Sequence, residues 1–270
     1  MNSQHDRAAA FRLLHERPGA FLIPNPYDAG TARLLALTGF EALATTSAGC
    51  AFALGLSDNH ITRDQALAHC AAIAAASDLP VNGDLENGFG DDPGHAAETI
   101  RLGAAAGLVG GSIEDASGDP EKPIYESALA AERVRAAAEA AHSLAFPFLL
   151  TARAENFLHG RPDLNDTIRR LQAFQDAGAD VLYAPGLSRI EDIKAVVKSV
   201  DRPVNVLAGA KMNFAELQDV GVKRISVGSA LSRAAIGAFL RAANEMRHCG
   251  TFTYMADAEP YARINELFKP

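Results

Sequence analysis

Two clusters of carboxylates stand one strand–helix–strand step apart in this chain. Residues 83–90 read GDLENGFG, and residues 111–116 read GSIEDA. Each cluster closes a short apolar run of strand character. Leu79-Pro80-Val81 precedes Asp84 and Glu86, while Leu108-Val109 and Ile113 precede Glu114 and Asp115. Residues 93–106, between them, read as a helix. Strands joined by a helix run parallel, so their carboxyl ends open on the same side. Asp84, Glu86 and Glu114 are therefore expected to converge on one point. Converging carboxylates repel unless a proton or a cation sits among them, and a set of hard oxygen donors suits Mg2+ or Mn2+. The competing reading, preferred for any one of these acids taken alone, is a solvated loop residue.

Other strand ends are also polar. Asn25 and Tyr27 follow the first apolar run, Thr46-Ser47-Ala48-Gly49 the second, Arg153 and Glu155 the fifth, and Asn205 lies on the seventh. Arg153 follows the apolar run FPFLL. It reads either as an arginine paired with a neighbouring acid or as a bidentate clamp on a substrate carboxylate, and the two are compatible. The small-residue turn Ser47-Ala48-Gly49 exposes backbone amides that can bind an anion, although most such turns are only turns. Asp58, taken alone, reads as a cap or a loop acid. Gly228-Ser229-Ala230 could cradle a phosphate at a helix N-terminus, or serve only packing. The eight histidines show no zinc spacing, and there is no Gly-x-Ser-x-Gly elbow.

Eight apolar runs could position these groups: 21–25, 42–46, 80–86, 107–114, 148–155, 181–185, 204–208 and 224–228. Helical segments follow them, including 28–37, 63–76, 127–141, 165–177 and 230–247. Several end at glycine (Gly39, Gly107, Gly178, Gly221), and Asn165 and Ser188 read as N-caps. This alternation predicts a parallel sheet, and eight units predict a closed (β/α)8 TIM barrel. A doubly wound sheet is the alternative, weakened by the lack of Gly-x-Gly-x-x-Gly after the first strand. No linker or composition break interrupts the chain, so residues 1–270 read as one domain with 250–270 as a C-terminal extension. Residues 258–268 form a candidate extra helix, on its own barrel or on a neighbour.

The chain has 270 residues, 48% of them hydrophobic, and a formal charge of −8. That charge argues against a nucleic-acid surface and an anionic membrane. It leaves an anionic substrate open, because a bound metal inverts local charge. Three scattered cysteines, Cys50, Cys70 and Cys249, fit a reducing cytoplasm better than a disulfide framework. The N-terminus has no long apolar signal core and no window reaches membrane-span length, so a cytoplasmic protein is expected.

Taken together, PNPYDAGTARLLALTGFEALATTSAG, GDLENGFG, GSIEDA, TARAENF and PVNVLAG resemble the isocitrate lyase/phosphoenolpyruvate mutase superfamily over roughly residues 10–250. The resemblance implies a (β/α)8 barrel that exchanges a C-terminal helix between subunits of a homo-oligomer, a dimer or tetramer. It implies Mg2+ held at Asp84, Glu86 and Glu114, partly through water, with Asp58 organising those waters. It implies a substrate carboxylate at Ser47, Ala48 and Gly49, Arg153 on the 2-oxo acid end, Asn205 in the pocket and Tyr27 on its wall. The chemistry implied is bond breaking beside a 2-oxo acid, with charge moving onto the 2-oxo oxygen as an enolate.

Departures from the family pattern matter. The lyase branch carries a Lys-Lys-Cys-Gly-His loop, whereas residues 115–125 here read DASGDPEKPIY and contain no cysteine. Ser117, Gly118, Asp119 and Lys122 still read as a lid. Lys122 is present where the phosphonomutase branch has a lysine, but that branch's asparagine is missing, and Tyr183 stands where the lyase branch has a glutamate. The leading expectation is a Mg2+-dependent lyase that cleaves the C3 bond of a small 2-oxo acid, with oxaloacetate-like decarboxylation asking least of the lid. Alternatives are a phosphonomutase or P–C hydrolase, a barrel that binds an oxo acid without turnover, and a Schiff-base aldolase using Lys211 with phosphate at Gly228-Ser229.

Overall fold

The computed structural model describes residues 2–269. Eight parallel strands form one sheet: β1 (Phe21–Leu22), β2 (Leu43–Ala44), β3 (Val81–Asp84), β4 (Gly110–Glu114), β5 (Leu149–Arg153), β6 (Val181–Tyr183), β7 (Val204–Leu207) and β8 (Arg224–Ser226). The hydrogen-bonded order is β1-β8-β7-β6-β5-β4-β3-β2. The first strand therefore pairs with the last, Phe21 opposite Arg224. The seam between β1 and β2 is bridged by single bonds. Ala44 N donates to Pro24 O at 3.0 Å, and Asn25 Nδ2 to Thr45 O at 2.9 Å. The sheet thus curls into the expected (β/α)8 barrel.

Eleven helices accompany the described strands: α1 (Gln4–Glu16), α2 (Ala29–Leu37), α3 (Ser47–Ala53), α4 (Arg63–Ala76), α5 (Pro93–Ala105), α6 (Ser127–His142), α7 (Leu164–Asp176), α8 (Ile190–Ser199), α9 (Phe214–Asp219), α10 (Ala230–Cys249) and α11 (Tyr261–Leu267). Local chemistry sets their starts. Asp28 with Thr31 and Thr62 with Gln65 make reciprocal capping boxes, and Asp92 caps α5 ahead of Pro93. Two sequence expectations need correction. Asp163, not Asn165, caps α7, and α8 begins after Arg189 with no side-chain cap at all. A third concerns Ser47-Ala48-Gly49, which is the first turn of α3 and not a free turn. Thr46 caps it by accepting from Gly49 N.

The main core lies between sheet and helices, where Ile73, Ile100, Leu108, Phe148, Leu150, Phe174 and Val196 are buried. A second apolar cluster joins Phe11 and Leu14 of α1 to Phe21, Val109 and Leu149 at the amino ends of β1, β4 and β5. Helix α1 therefore plugs that end of the barrel and leaves the carboxyl end open. Within the chain, α11 touches α2: the Arg33 guanidinium stands 5.4 Å over the Phe268 ring, and Arg33 Nη2 donates to Lys269 O. α10 and the extension stay lightly covered, with Phe239, Phe252, Met255 and Tyr261 exposed. Among the described residues no helix is long and apolar enough to cross a membrane.

Candidate active site

A cavity of about 130 Å3 opens at the carboxyl end of the barrel. Residues from seven strands or their following loops line it: Asn25, Thr45 to Ala48, Asn82 and Asp84, Ser112, Arg153, Tyr183, and Asn205 with Leu207. Arg224, Ser226, Gly228 and Ser229 from the eighth complete it, with Asp58 and Leu158 at loops.

Arg153, the last residue of β5, organises the mouth. Each of its guanidinium nitrogens goes to a different carboxylate: Nη1 to Asp84 at 2.9 Å, Nη2 to Glu114 at 3.0 Å and Nε to Glu155 at 2.8 Å. Burial alone pulls its pKa down, but the three acids outweigh that and hold it more firmly protonated than a free arginine. Register explains the meeting, since Glu114 lies opposite Arg153 on the neighbouring strand and Asp84 opposite Ser112. The ring of Tyr183, opposite Arg153 on β6, lies 5.4 Å from its guanidinium carbon.

Asp84 is shared by two anchors. Its Oδ1 takes Arg153, and its Oδ2 accepts from Ser47 N at 2.9 Å and Ser47 Oγ at 3.0 Å. The first turn of α3 thus spends its Ser47 amide on a protein acid. Among the described residues the Ala48 amide has no protein acceptor, and Ala48 lines the cavity. Gly49 is needed for close approach, because a Cβ there would lie 2.5 Å from Thr46 Cγ2 and 3.0 Å from Tyr27 Cβ.

Glu86 sits beyond the end of β3 with φ +48°, a left-handed backbone that a non-glycine residue adopts at a cost. Its side chain is buried, and among the described residues Oε1 has no hydrogen-bond partner. Burial, then the charges of Asp84 and Asp58, push its carboxyl up to about 8. Glu114 is also driven well above the ordinary range, first by burial, with Arg153 opposing. The buried Arg133 of α6 holds the loop after Glu86, donating to the carbonyls of Asn87, Gly90 and Asp91 and stacking 4.4 Å over the Tyr125 ring.

Not every candidate reaches the cavity. Asp84, Arg153, Asn205, Ser47, Ala48 and Asp58 line it, with Asp58 exposed at the rim. Glu86 and Glu114 stand behind Asp84 and Arg153, outside the lining, and Tyr27 packs beside Gly49. Asp115 is turned away onto Arg170 of α7 at 3.0 Å and the Glu155 amide. Ser117, Asp119 and Lys122 bond to one another, Ser117 Oγ to Lys122 O and Asp119 N to Ser117 Oγ, and neither they nor Gly118 line the cavity. Lys211 is exposed and lies outside the cavity, so it is not placed to form a Schiff base there, and the Gly228 amide expected to cradle a phosphate is taken by Asn25 Oδ1.

The expected convergence of the acids on one point is modified by Arg153. Among the described residues, no three His, Cys, Asp or Glu side chains are packed closely enough to hold a metal ion together. The acids are instead spread round the guanidinium. The orphaned Glu86 Oε1 and the all-oxygen character of Asp84, Glu86 and Glu114 still fit a hard cation bound partly through water.

The phosphoenolpyruvate phosphomutase family profile matches residues 11–247. The chain belongs to this family. Members and neighbours of the wider isocitrate lyase/phosphoenolpyruvate mutase superfamily are lyases and mutases, and the chain is an enzyme of that kind. It is similar to a crystal structure from Burkholderia cenocepacia J2315, provisionally described as a lyase/mutase. That match is 61% identical with TM-score 0.97, covering 98% of this chain and 97% of the other. It is 29% identical to 2-methylisocitrate lyase of Bacillus subtilis (strain 168) over 77% of this chain and 68% of that protein. It shares its fold with phosphonopyruvate hydrolase in complex with oxalate and Mg2+. Here the TM-score is 0.86 at 22% identity, covering 98% and 95% of the two chains.

Sequence reading missed part of this family member's pocket. Thr45, whose Oγ1 accepts from Asp84 N at 2.8 Å, and Asn82, Ser112, Arg224 and Ser226 were not singled out. The available signal was polar residues inside strands that are otherwise apolar, as in VNGD and KRIS.

Proposed function

We propose that the protein is a Mg2+-dependent lyase that cleaves a carbon–carbon bond at C3 of a small 2-oxo acid, by decarboxylation of an oxaloacetate-like acid or a related carboxylic-acid cleavage. The observation that carries this reading is the threefold pairing of Arg153 with Asp84, Glu114 and Glu155 at the lip of a small cavity. A guanidinium fixed by three acids is preorganised for charge that develops beside it. Asp84, Glu86 and Glu114 would hold the cation, with Asp58 at the rim on its water side. When bound, the cation supplies Lewis acidity for the 2-oxo oxygen. The chain's own part is separate. Arg153 meets the developing negative charge, the unused Ala48 amide offers a donor to the substrate carboxylate, and Tyr183 and Asn205 wall the cavity. The segment 115–125 offers no thiol acid/base, and departing CO2 needs none. Phosphonopyruvate hydrolase, of the same fold, binds oxalate with Mg2+, and oxalate resembles a planar enolate.

A phosphonomutase or P–C hydrolase is the second reading, favoured by the matching family profile. A requirement for a phosphorus-containing substrate separates the two. The exposed apolar residues of α10 and the extension, Phe239, Phe252 and Met255 among them, support a homo-oligomer with an exchanged C-terminal helix. The first experiment is calorimetry of oxalate with and without Mg2+, on wild type and Glu114→Ala. Binding that needs both metal and Glu114 supports the site, and binding indifferent to Mg2+ sinks it.

A further inference from the structure

Below the acids of the mouth lies a second guanidinium with no acid to match it. Arg224 opens β8 and is 3% exposed. Its Nη2 donates to Thr151 Oγ1 of β5 at 2.9 Å. Strands β5 and β8 are not neighbours, so the side chain crosses the barrel interior. Its Nε donates to Asn205 Oδ1 at 2.8 Å, and among the described residues Nη1 has no partner. Both partners are neutral.

The surroundings do not supply the missing charge. Burial lowers the Arg224 pKa to about 10, which leaves the group charged at neutral pH. A buried cation without a counter-charge costs several kcal/mol. From below, His15 of α1 faces it. Its Nδ1 donates to Phe11 O, its Nε2 is unpartnered, and burial holds its pKa down to about 3, so the ring is neutral. A water shared by His15 and Arg224 would satisfy one N–H and leave the charge unmatched. Tyr183, with its hydroxyl pushed up to about 12, is neutral too. Asn82, Ser112 and Ser226 complete the polar wall, where a barrel of this type usually packs branched apolar side chains.

The position gives a length. Thr151 precedes Arg153 by two residues on one strand, which is about 6.6 Å of rise. Arg224 therefore lies one interior layer beneath Arg153 and lines the same cavity. Arg153 is already matched by three carboxylates, whereas Arg224 is matched by none.

We propose that Arg224 is an anion subsite that takes a second carboxylate of the substrate, reaching down the barrel axis from the mouth. The assignment rests on the oxo-acid reading of the mouth and narrows it. A carboxylate paired with a guanidinium is stabilised in its charged form, so the bond that breaks does not discharge this group as CO2; of the two cleavages proposed for the mouth, this subsite selects the related carboxylic-acid cleavage over loss of the distal carboxylate. The substrate class is a small 2-oxo diacid whose second acid group stays ionised through the reaction, and Arg224 selects it over monoacids.

The test uses the Mg2+-loaded full-length protein. Calorimetry compares oxalate, the four- and five-carbon 2-oxo diacids, and the distal monomethyl ester of each. In wild type at least one diacid is expected to bind on the order of 30-fold more tightly than its ester. R224Q should erase that difference and change oxalate affinity little, and R224K should restore part of it. Diacids and esters bound alike by wild type would overturn the proposal, and that comparison needs no variant that has to fold. An equal loss for oxalate and diacid in R224Q would also overturn it, because it marks a structural role. Failure of oxalate to bind, with the diacid preference intact and dependent on Arg224, would sink the reading of the mouth and leave this subsite standing.

Discussion

Arg153 Nη1 stands 2.9 Å from Asp84 Oδ1, while the other oxygen of Asp84 is held by the Ser47 amide and hydroxyl at 2.9 and 3.0 Å. One carboxylate thus ties β5, β3 and the start of α3 together at the mouth. Asp84→Asn keeps the shape and removes the charge, so kcat/KM is expected to fall by about 100-fold or more. Ser47→Ala keeps the amide bond and should cost roughly fivefold. Steady-state kinetics on both variants checks the order, and a Ser47 effect as large as that of Asp84 would contradict it.

Arg153 is the cation for two acids buried behind the mouth, Glu114 and Glu155. Arg153→Met leaves them unpaired, a loss of about 3–5 kcal/mol, or roughly 10 °C in Tm. The loss should shrink at pH 5, where Glu114, its carboxyl already driven up by burial, can protonate. Thermal melts of metal-free protein at pH 5 and pH 8 report this directly, and an equal loss at both would count against the pairing.

Glu86 gives the metal-free protein a pH signature. Its carboxyl ionises near 4.5 in an ordinary setting and at about 8 in the fold. Between these values the folded state holds the proton more tightly, so stability present below pH 4.5 is lost as pH rises through 8. Metal-free Tm should fall across that window, by on the order of a few kcal/mol in stability, and Glu86→Gln should flatten the slope. On the proposed reading, with Glu86 among the cation's ligands, Mg2+ affinity should rise with pH over the same range, since a ligating carboxylate must lose its proton. Parallel Tm–pH curves for wild type and Glu86→Gln would remove Glu86 as the cause.

Arg133 stands behind the loop that carries Glu86. It donates to the carbonyls of Asn87, Gly90 and Asp91 from a fully buried position. Arg133→Met orphans those carbonyls and should cost about 3 kcal/mol, with Mg2+ affinity falling alongside stability. Hydrogen exchange localised to residues 86–92 is the expected readout. Exchange raised across the whole barrel instead would mean global loosening.

What the sequence alone determined is local. Eight apolar runs separated by capped, glycine-ended segments set the strand–helix alternation, because periodicity and cap chemistry act over a few residues. The glycines read as helix stops do take left-handed φ, from +90° at Gly39 to +105° at Gly178. Asp84, Glu114 and Arg153 were legible because a charged residue at the end of a buried strand must find a partner. The tertiary structure alone decided who that partner is. Strand register sets Glu114 opposite Arg153, and barrel closure carries Arg224 across to Thr151. Those residues lie 39 and 73 positions apart. No short-range pattern reports such a distance, because it depends on how the whole sheet curls. The same holds for Arg224's want of an acid, which is a property of everything packed around it.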